Sequence, residues 1–300
     1  MDVSIIIVNY NTCELTRNCL KSIFEQTKGI DFEVIVSDND SKDDSKEMIK
    51  KEFPQVILIE NNANLGFGAA NNRGLKIAKG KYILYLNSDT ILLNNAVKLF
   101  FDYWENSTEK DTIGALGGNL LDKDGSVTFS YGNFPKPIRE IIRFWKKIFI
   151  TYIKIILSIC KIDYRKYKKK AVYIIKNGNV GFVSGANLFV KNNELALFDE
   201  RFFLYFEETN LEYQMMKKDL YRKVITGPKI VHLCGGSDTI KKNDYISFSS
   251  IQYDLSRIRF IKYNYHPFYA FILKIMLFLF WLTPGIYTKT KNYRKNIWGI

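Results

Sequence analysis

Residues 3–8, VSIIIV, are continuously apolar and β-branched, and the run ends in Asn9, Tyr10, Asn11 and Thr12. A short run without alternation fits a strand buried on both faces, here leading into a helix cap. Behind Thr12, the spacing of Leu15, Leu20, Ile23 and Phe24 predicts an amphipathic helix. The unit recurs, with strands predicted at 32–36, 56–59 and 82–86 and helices at 41–53 and 68–78. Strands alternating with helices of about a dozen residues indicate βαβ units in a mostly parallel sheet, which binds its ligands at the carboxyl ends of the strands.

Farther along, 113–117 reads as a strand, 180–190 as a bent strand or strand pair, and 223–226 and 230–233 as two short strands. Helices are expected at 208–218 and 248–263. Two stretches break the rhythm. Residues 138–162 are long, basic and apolar, an inserted amphipathic helical arm. Residues 268–282 carry only Lys274 as a charge, yet fall short of the roughly 20 residues a bilayer-spanning helix needs. They are expected to lie in a membrane interface, a span over 267–287 with Lys274 snorkelling being the alternative.

Charge sharpens this picture. The 300-residue chain has a formal net charge of +13. Residues 136–170 hold twelve basic and two acidic residues, and 256–300 hold eight basic and none acidic, so the remaining 220 residues are slightly acidic. Because both basic segments are also rich in Ile, Phe, Leu, Trp and Tyr, they suit an anionic lipid surface better than a nucleic acid. The chain thus divides into a main, slightly acidic domain, 1–255, interrupted by the insertion at about 136–171, and a membrane-associating tail, 256–300. The four cysteines form no CxxC pair, and residues 1–8 lack an export signal, which fits a cytoplasmic setting.

The candidate chemistry lies after the apolar runs. Residues 37–45, SDNDSKDDS, place four carboxylates behind the second strand, with Asp38 positioned to accept from a base or ribose. Capping the next helix is the plainer use of the same residues. NNANLGFGAANN at 61–72 brings glycines and amides that allow close backbone approach to a ligand. Asn87, Ser88 and Asp89 follow the next strand. The turn after strand one is NYNT rather than GxGxxG, which disfavours a nicotinamide or flavin enzyme. An acidic crevice holding a phosphorylated ligand needs a divalent cation between the two.

In this order and spacing, VSIIIVNYN, VSDNDSKDDS, NANLGFGAANNRG and LYLNSDT resemble the N-terminal half of the family 2 glycosyltransferases, which have the GT-A fold. GFVSGANLFV at 181–190, FDERFFLYFEETNLEYQ at 198–214 and VHLCGGS at 231–237 continue the resemblance, with wording nearest the bacterial rhamnosyltransferase-like branch. The resemblance implies a Rossmann-like α/β sheet flanked by helices. It also implies inverting transfer of a hexosyl or deoxyhexosyl group from a UDP- or dTDP-sugar to a hydroxyl of a glycan or lipid-linked acceptor, in bacterial cell-surface polysaccharide synthesis. Asn9 and Tyr10 would flank the base, with Asp38, Asp43, Asn64, Gly66, Asn72, Asn87 and Ser88 around the donor. Asp89 and His232 would hold Mn2+ or Mg2+.

Glu208 would be the general base, standing where the family has the second acidic residue of its ED motif. Gly185, Gly235 and Gly236 would form turns around acceptor and diphosphate. Two departures, Asn87 for the first Asp of DxD and Asn210 for an Asp, leave open a catalytically degenerate module that docks on membrane or nucleic acid. The enzyme reading expects no nucleic acid and places the protein on the inner face of the cell membrane.

Overall fold

The computed structural model describes residues 1–160, 173–233, 247–283, 286–287, 289–294 and 297–300. It divides into two compact units, Met1–Phe134 with Val172–Thr239, and Pro135–Ala171 with Ile240–Ile300.

The first unit starts with β1 (Val3–Asn9), α1 (Cys13–Gln26), β2 (Phe32–Asp38), α2 (Ser45–Glu52), β3 (Ile57–Glu60), α3 (Phe67–Leu75) and β4 (Tyr82–Asn87). These four strands pair in parallel in the order β3-β2-β1-β4. The apolar run of β1 is unbroken because both its faces are covered. Val3, Ile5 and Ile7 pack with Leu20 and Ile23 of α1, while Ile6 joins Ile35, Ile83 and Tyr85 on the opposite face. Strand order reverses at β1, with β2 on one side and β4 on the other, and such a switch point opens a crevice at the carboxyl edge. In register, Asn9 is opposite Asp38, and Val8 is opposite Asn87, so three loops leave the sheet side by side.

The unit continues with β5 (Thr90–Leu92), α4 (Ala96–Glu105), β6 (Ile113–Leu121) and β7 (Tyr131–Gly132). The second unit's α5 (Pro137–Ile159) comes next in the chain, followed by β8 (Gly178–Val180), β9 (Phe182–Val183), β10 (Asn187–Lys191), α6 (Glu207–Lys217) and β11 (Tyr221–His232) of the first unit. In the nine-stranded sheet of the described residues, β10 enters antiparallel between β4 and β6, β11 runs parallel to β6, and β5 and β8 pair antiparallel with β11. Six strands therefore share one direction, giving the α/β, mostly parallel sheet flanked by helices.

The two short strands expected at 223–226 and 230–233 are one strand, β11, with an irregular register between Ile225 and Ile230. Gly227, at φ +121°, and Pro228, which has no N–H, interrupt the ladder there. Asn94 repairs the break, accepting from the Lys229 amide at 2.9 Å and donating to the Gly227 carbonyl at 2.8 Å. Beyond the irregularity, β11 pairs with β5 so that His232 is opposite Thr90.

The second unit holds α5, α7 (Phe248–Asn264) and α8 (Pro267–Trp281). Helix α7 runs through position 255/256, the boundary expected from composition, and the arm groups with the C-terminal helices. Part of the arm, 161–171, lies outside the described residues. His266 caps α8 by accepting from the Phe268 amide. Among the described residues no helix is long and apolar enough to cross a membrane. With 15 residues α8 is only about 22 Å long, and Lys274 turns inward to the carbonyls of Trp298 and Ile300.

Candidate active site

Four loops meet at the carboxyl edge of the first unit's sheet. Asn9 ends β1 fully buried, and its side chain is spent on protein: Nδ2 donates to Asp38 Oδ2 at 2.6 Å and Ser41 Oγ at 2.9 Å, while Oδ1 accepts from Thr12 and Thr16. Asp38 is equally closed, with its second oxygen taking the Ser41 amide at 2.9 Å. These hydrogen bonds make Asn9 and Asp38 a brace between the β1 and β2 loops. Tyr10, the next residue, is 44% exposed.

Asp43 accepts from the Cys13 amide, the first of α1, and from the amide and hydroxyl of Ser45. Burial pushes its carboxyl up, but these donors outweigh that and leave its pKa below the ordinary value. Asp43 therefore ties the start of α1 to the start of α2.

The amide-rich segment folds against the same loops. Asn64 Oδ1 accepts from the Gly66 amide at 3.0 Å and from Asn39 Nδ2 at 3.3 Å, and Asn39 also donates to the Gly66 carbonyl. Gly66 adopts φ +86°, and a Cβ there would lie 2.3 Å from the Phe203 carbonyl oxygen. Gly66→Ala is therefore expected to cost at least about 2 kcal/mol in chemical denaturation, and a change below about 0.5 kcal/mol would contradict this packing. Asn72, expected at the donor, instead faces inward. It donates to the Phe198 carbonyl and Glu200 and accepts from the Phe198 amide, pinning the 198–200 loop to α3.

After β4, Ser88 Oγ lies 3.2 Å from Thr12 Oγ1, linking the first and fourth loops. Asp89 Oδ1 is 3.2 Å from His232 Nε2, and Asn87 Nδ2 is 3.3 Å from the same nitrogen. The bend in β11 brings His232 to this pair. Asn87 Oδ1 is buried without a hydrogen-bond partner. A carboxylate and an imidazole 3.2 Å apart, beside an Asn87 side chain whose oxygen is unmatched, fit a borderline divalent cation such as Mn2+. Among the described residues no three His, Cys, Asp or Glu side chains gather as a metal group, so most of the coordination would fall to ligand oxygens. Gly235 and Gly236 lie outside the described residues.

Glu208 reaches the same rim. A Cβ on Gly185 would stand 3.4 Å from Glu208 Cβ and Cγ, and the next residue, Ala186, accepts from the Asn87 amide at 3.2 Å. Glu208 is part-exposed at the first turn of α6, whereas Glu207 is buried with Oε1 unpartnered. Burial raises the Glu208 carboxyl above its ordinary pKa, and burial together with the Glu208 charge raises Glu207 further. Immediately before α6, Tyr205 and Phe206 sit at φ +67° and +69°. Two adjacent left-handed non-glycine residues store strain of about 1–3 kcal/mol each, just where the helix must present Glu208. Asn210 is buried, its Oδ1 accepting from Gln214.

Sequence reasoning missed Glu212, although its i+4 spacing from Glu208 puts both on one helix face. Glu212 is fully buried, with Oε2 accepting from the Val183 amide at 2.9 Å and Oε1 unpartnered. Burial raises its carboxyl well above the ordinary value, against the opposing pull of the Val183 amide and Arg222. Below about pH 4 the folded and unfolded chains are both protonated here. As pH rises, the unfolded chain ionises first and the folded state loses about 1.4 kcal/mol per pH unit until its own group titrates. Glu212→Gln keeps an acceptor for Val183 and is expected to raise stability progressively above pH 4. Equal denaturation midpoints at pH 4 and pH 8 for variant and parent would contradict this.

The model of the glycosyl transferase family 2 matches residues 4–156. The chain is 36% identical over 123 residues to the poly(ribitol-phosphate) beta-glucosyltransferase of Bacillus spizizenii, covering 39% of this chain and 19% of that protein. It is 37% identical over 122 residues to the UDP-Glc:alpha-D-GlcNAc-diphosphoundecaprenol beta-1,3-glucosyltransferase of Escherichia coli, covering 37% of this chain and 48% of the relative. The aligned region thus spans less than half of either relative's length. A mannosyltransferase from Pyrobaculum calidifontis, solved with GDP-Man and Mn2+, superposes at a TM-score of 0.52 with 16% identity, over 94% of this chain and 70% of that one. The sheet order and this superposition identify the GT-A fold, and with the family match over more than half of its residues, the chain belongs to glycosyl transferase family 2.

Proposed function

We propose that the protein is a metal-dependent, inverting glycosyltransferase that moves a hexosyl or deoxyhexosyl group from a UDP- or dTDP-sugar to a hydroxyl of a glycan or lipid-linked acceptor. The observation that carries this reading is the Asn87, Asp89 and His232 cluster at the carboxyl edge of the sheet, to which the 185–186 segment beside Glu208 is tied by the Asn87 amide's hydrogen bond to the Ala186 carbonyl. The Tyr10 ring is open to stack on the nucleotide base, while Asn9, Asp38 and Asp43 hold its loop in place. Asn64, Gly66 and Ser88 line the donor's side of the crevice, with Asn72 fixing the loop that backs it.

Glu208 takes the acceptor hydroxyl proton as the acceptor oxygen attacks the anomeric carbon. The bond from that carbon to the diphosphate oxygen breaks on the opposite face, which inverts the centre. A carboxyl raised above its ordinary pKa is a stronger base near neutral pH. Asp89, His232 and the Asn87 amide would hold a divalent cation, which when bound neutralises the departing diphosphate. The E. coli relative is named for a UDP-Glc donor and a diphosphoundecaprenol-linked acceptor, which supports a lipid-linked acceptor in bacterial surface polysaccharide synthesis. The basic, apolar second unit supports action at the inner, anionic face of the cell membrane.

Thermal unfolding with UDP, dTDP or GDP, each with Mn2+, tests the site. A rise in Tm with one of the nucleotides is expected. No shift with any of them would favour a non-enzymatic docking module.

A further inference from the structure

Helix α5 is packed inside out. Its positions 140, 144 and 147 lie on one face, and there Glu140 and Phe144 are buried. Glu140 forms an ion pair with buried Arg257 of α7 at 3.1 Å, and Lys147 pairs with buried Asp254 of the same helix. Phe144 meets Phe280 of α8 edge to face at 6.3 Å. On the opposite face, Ile138, Ile142, Trp145, Phe149, Ile153 and Ile156 recur at helical spacing and are all exposed, Trp145 at 61% and Phe149 at 67%. An ordinary surface helix points its apolar stripe inward, whereas α5 anchors itself through charged pairs and turns that stripe outward.

Helix α8 in the same unit buries one apolar face and also turns apolar residues outward. Leu273, Leu277 and Trp281 are buried, while Phe268, Phe271, Ile275 and Leu279 are exposed along the other side. Two neighbouring helices thus contribute to an apolar surface that water alone would not favour. The charges beside it complete the pattern. Arg139, Arg143 and Lys146 are exposed along one flank of the α5 stripe. An apolar stripe edged by cations matches a bilayer whose headgroups are anionic and whose interior is hydrocarbon.

We infer that the outer face of α5, extended by α8, is a monotopic insertion surface that beds into the acyl boundary of an anionic membrane, with Arg139, Arg143 and Lys146 on the headgroups. This rests on the membrane reading given above and assigns it to one face. It also gives the arm and the C-terminal helices a common purpose, because neither α5 nor α8 crosses a bilayer.

The test is co-sedimentation of the full chain with phosphatidylglycerol/phosphatidylcholine vesicles and with phosphatidylcholine alone, joined to tryptophan quenching by brominated lipids. A Trp298→Phe background leaves Trp145 as the exposed reporter, since Trp104 and Trp281 are buried. Binding to anionic vesicles with quenching of Trp145 is expected. Ile142→Glu with Phe149→Glu should abolish binding, both sites being exposed so that the fold, checked by circular dichroism, is retained. Arg139→Ala, Arg143→Ala and Lys146→Ala together should weaken binding about a hundredfold on anionic vesicles. If the parent binds but neither set changes binding and Trp145 stays unquenched, this face is wrong while the membrane reading stands. If the parent binds no vesicle, the membrane reading itself fails. If the double Glu variant instead halves the mass in solution and no vesicle binding occurs, the face joins two copies of the chain and the inference is overturned.

Discussion

Glu208→Gln is expected to lower glycosyl transfer by about 10²- to 10⁴-fold, the usual contribution of a positioned general base, and to leave nucleotide affinity unchanged. Gln has the same length and keeps the contacts with Gly185 and Thr209, so the loss isolates proton acceptance from shape. Glu208→Asp should recover part of the activity, because a carboxylate remains and the family motif carries the shorter acid here. Burial raises the carboxyl's pKa, so turnover of the parent should climb with pH above the ordinary carboxylate range and then level. A merely helix-stabilising Glu208 would show no such profile. Full activity in the Gln variant would remove Glu208 from the reaction.

Asp89→Ala is expected to abolish stimulation by Mn2+. If the cation contributes about 4 kcal/mol to the departing diphosphate, turnover falls by about 10³-fold. Among the described residues Asp89 is the one carboxylate placed with Asn87 and His232, so its removal takes the anionic donor from that cluster. His232→Gln should cost less, since the Asp89 carboxylate stays. Direct Mn2+ titration followed by electron paramagnetic resonance, with nucleotide present, separates lost binding from misfolding. Activity unaffected by both chelator and Asp89→Ala would contradict the metal role.

The first half of the fold was legible because its strands are short, unbroken apolar runs separated by polar turns, as in 3–8 and 82–86. The antiparallel entry of β10 was not, since periodicity reports burial and carries no strand direction. The continuity of β11 was hidden by Gly227 and Pro228, whose broken ladder depends on Asn94, far away in sequence. The site was legible as a set of loops but not as roles. Asn9, Asp38 and Asn72 are donor contacts by the family resemblance, and the hydrogen bonds that Asn9 and Asp38 make between the β1 and β2 loops, and Asn72 between α3 and the 198–200 loop, depend on tertiary contacts that a sequence pattern does not carry. The inward ion pairs of α5 were likewise beyond a sequence pattern, because Arg257 and Asp254 come more than a hundred residues after their partners. Motif wording identified the family.

Release of nucleoside diphosphate from a panel of UDP-, dTDP- and GDP-sugars, with Mn2+ and with chelator, tests the metal-dependent transfer most directly. The expected result is turnover of a UDP- or dTDP-sugar that requires the cation and is lost in Glu208→Gln. Release from no donor, or release indifferent to chelator and to Glu208→Gln, would contradict it.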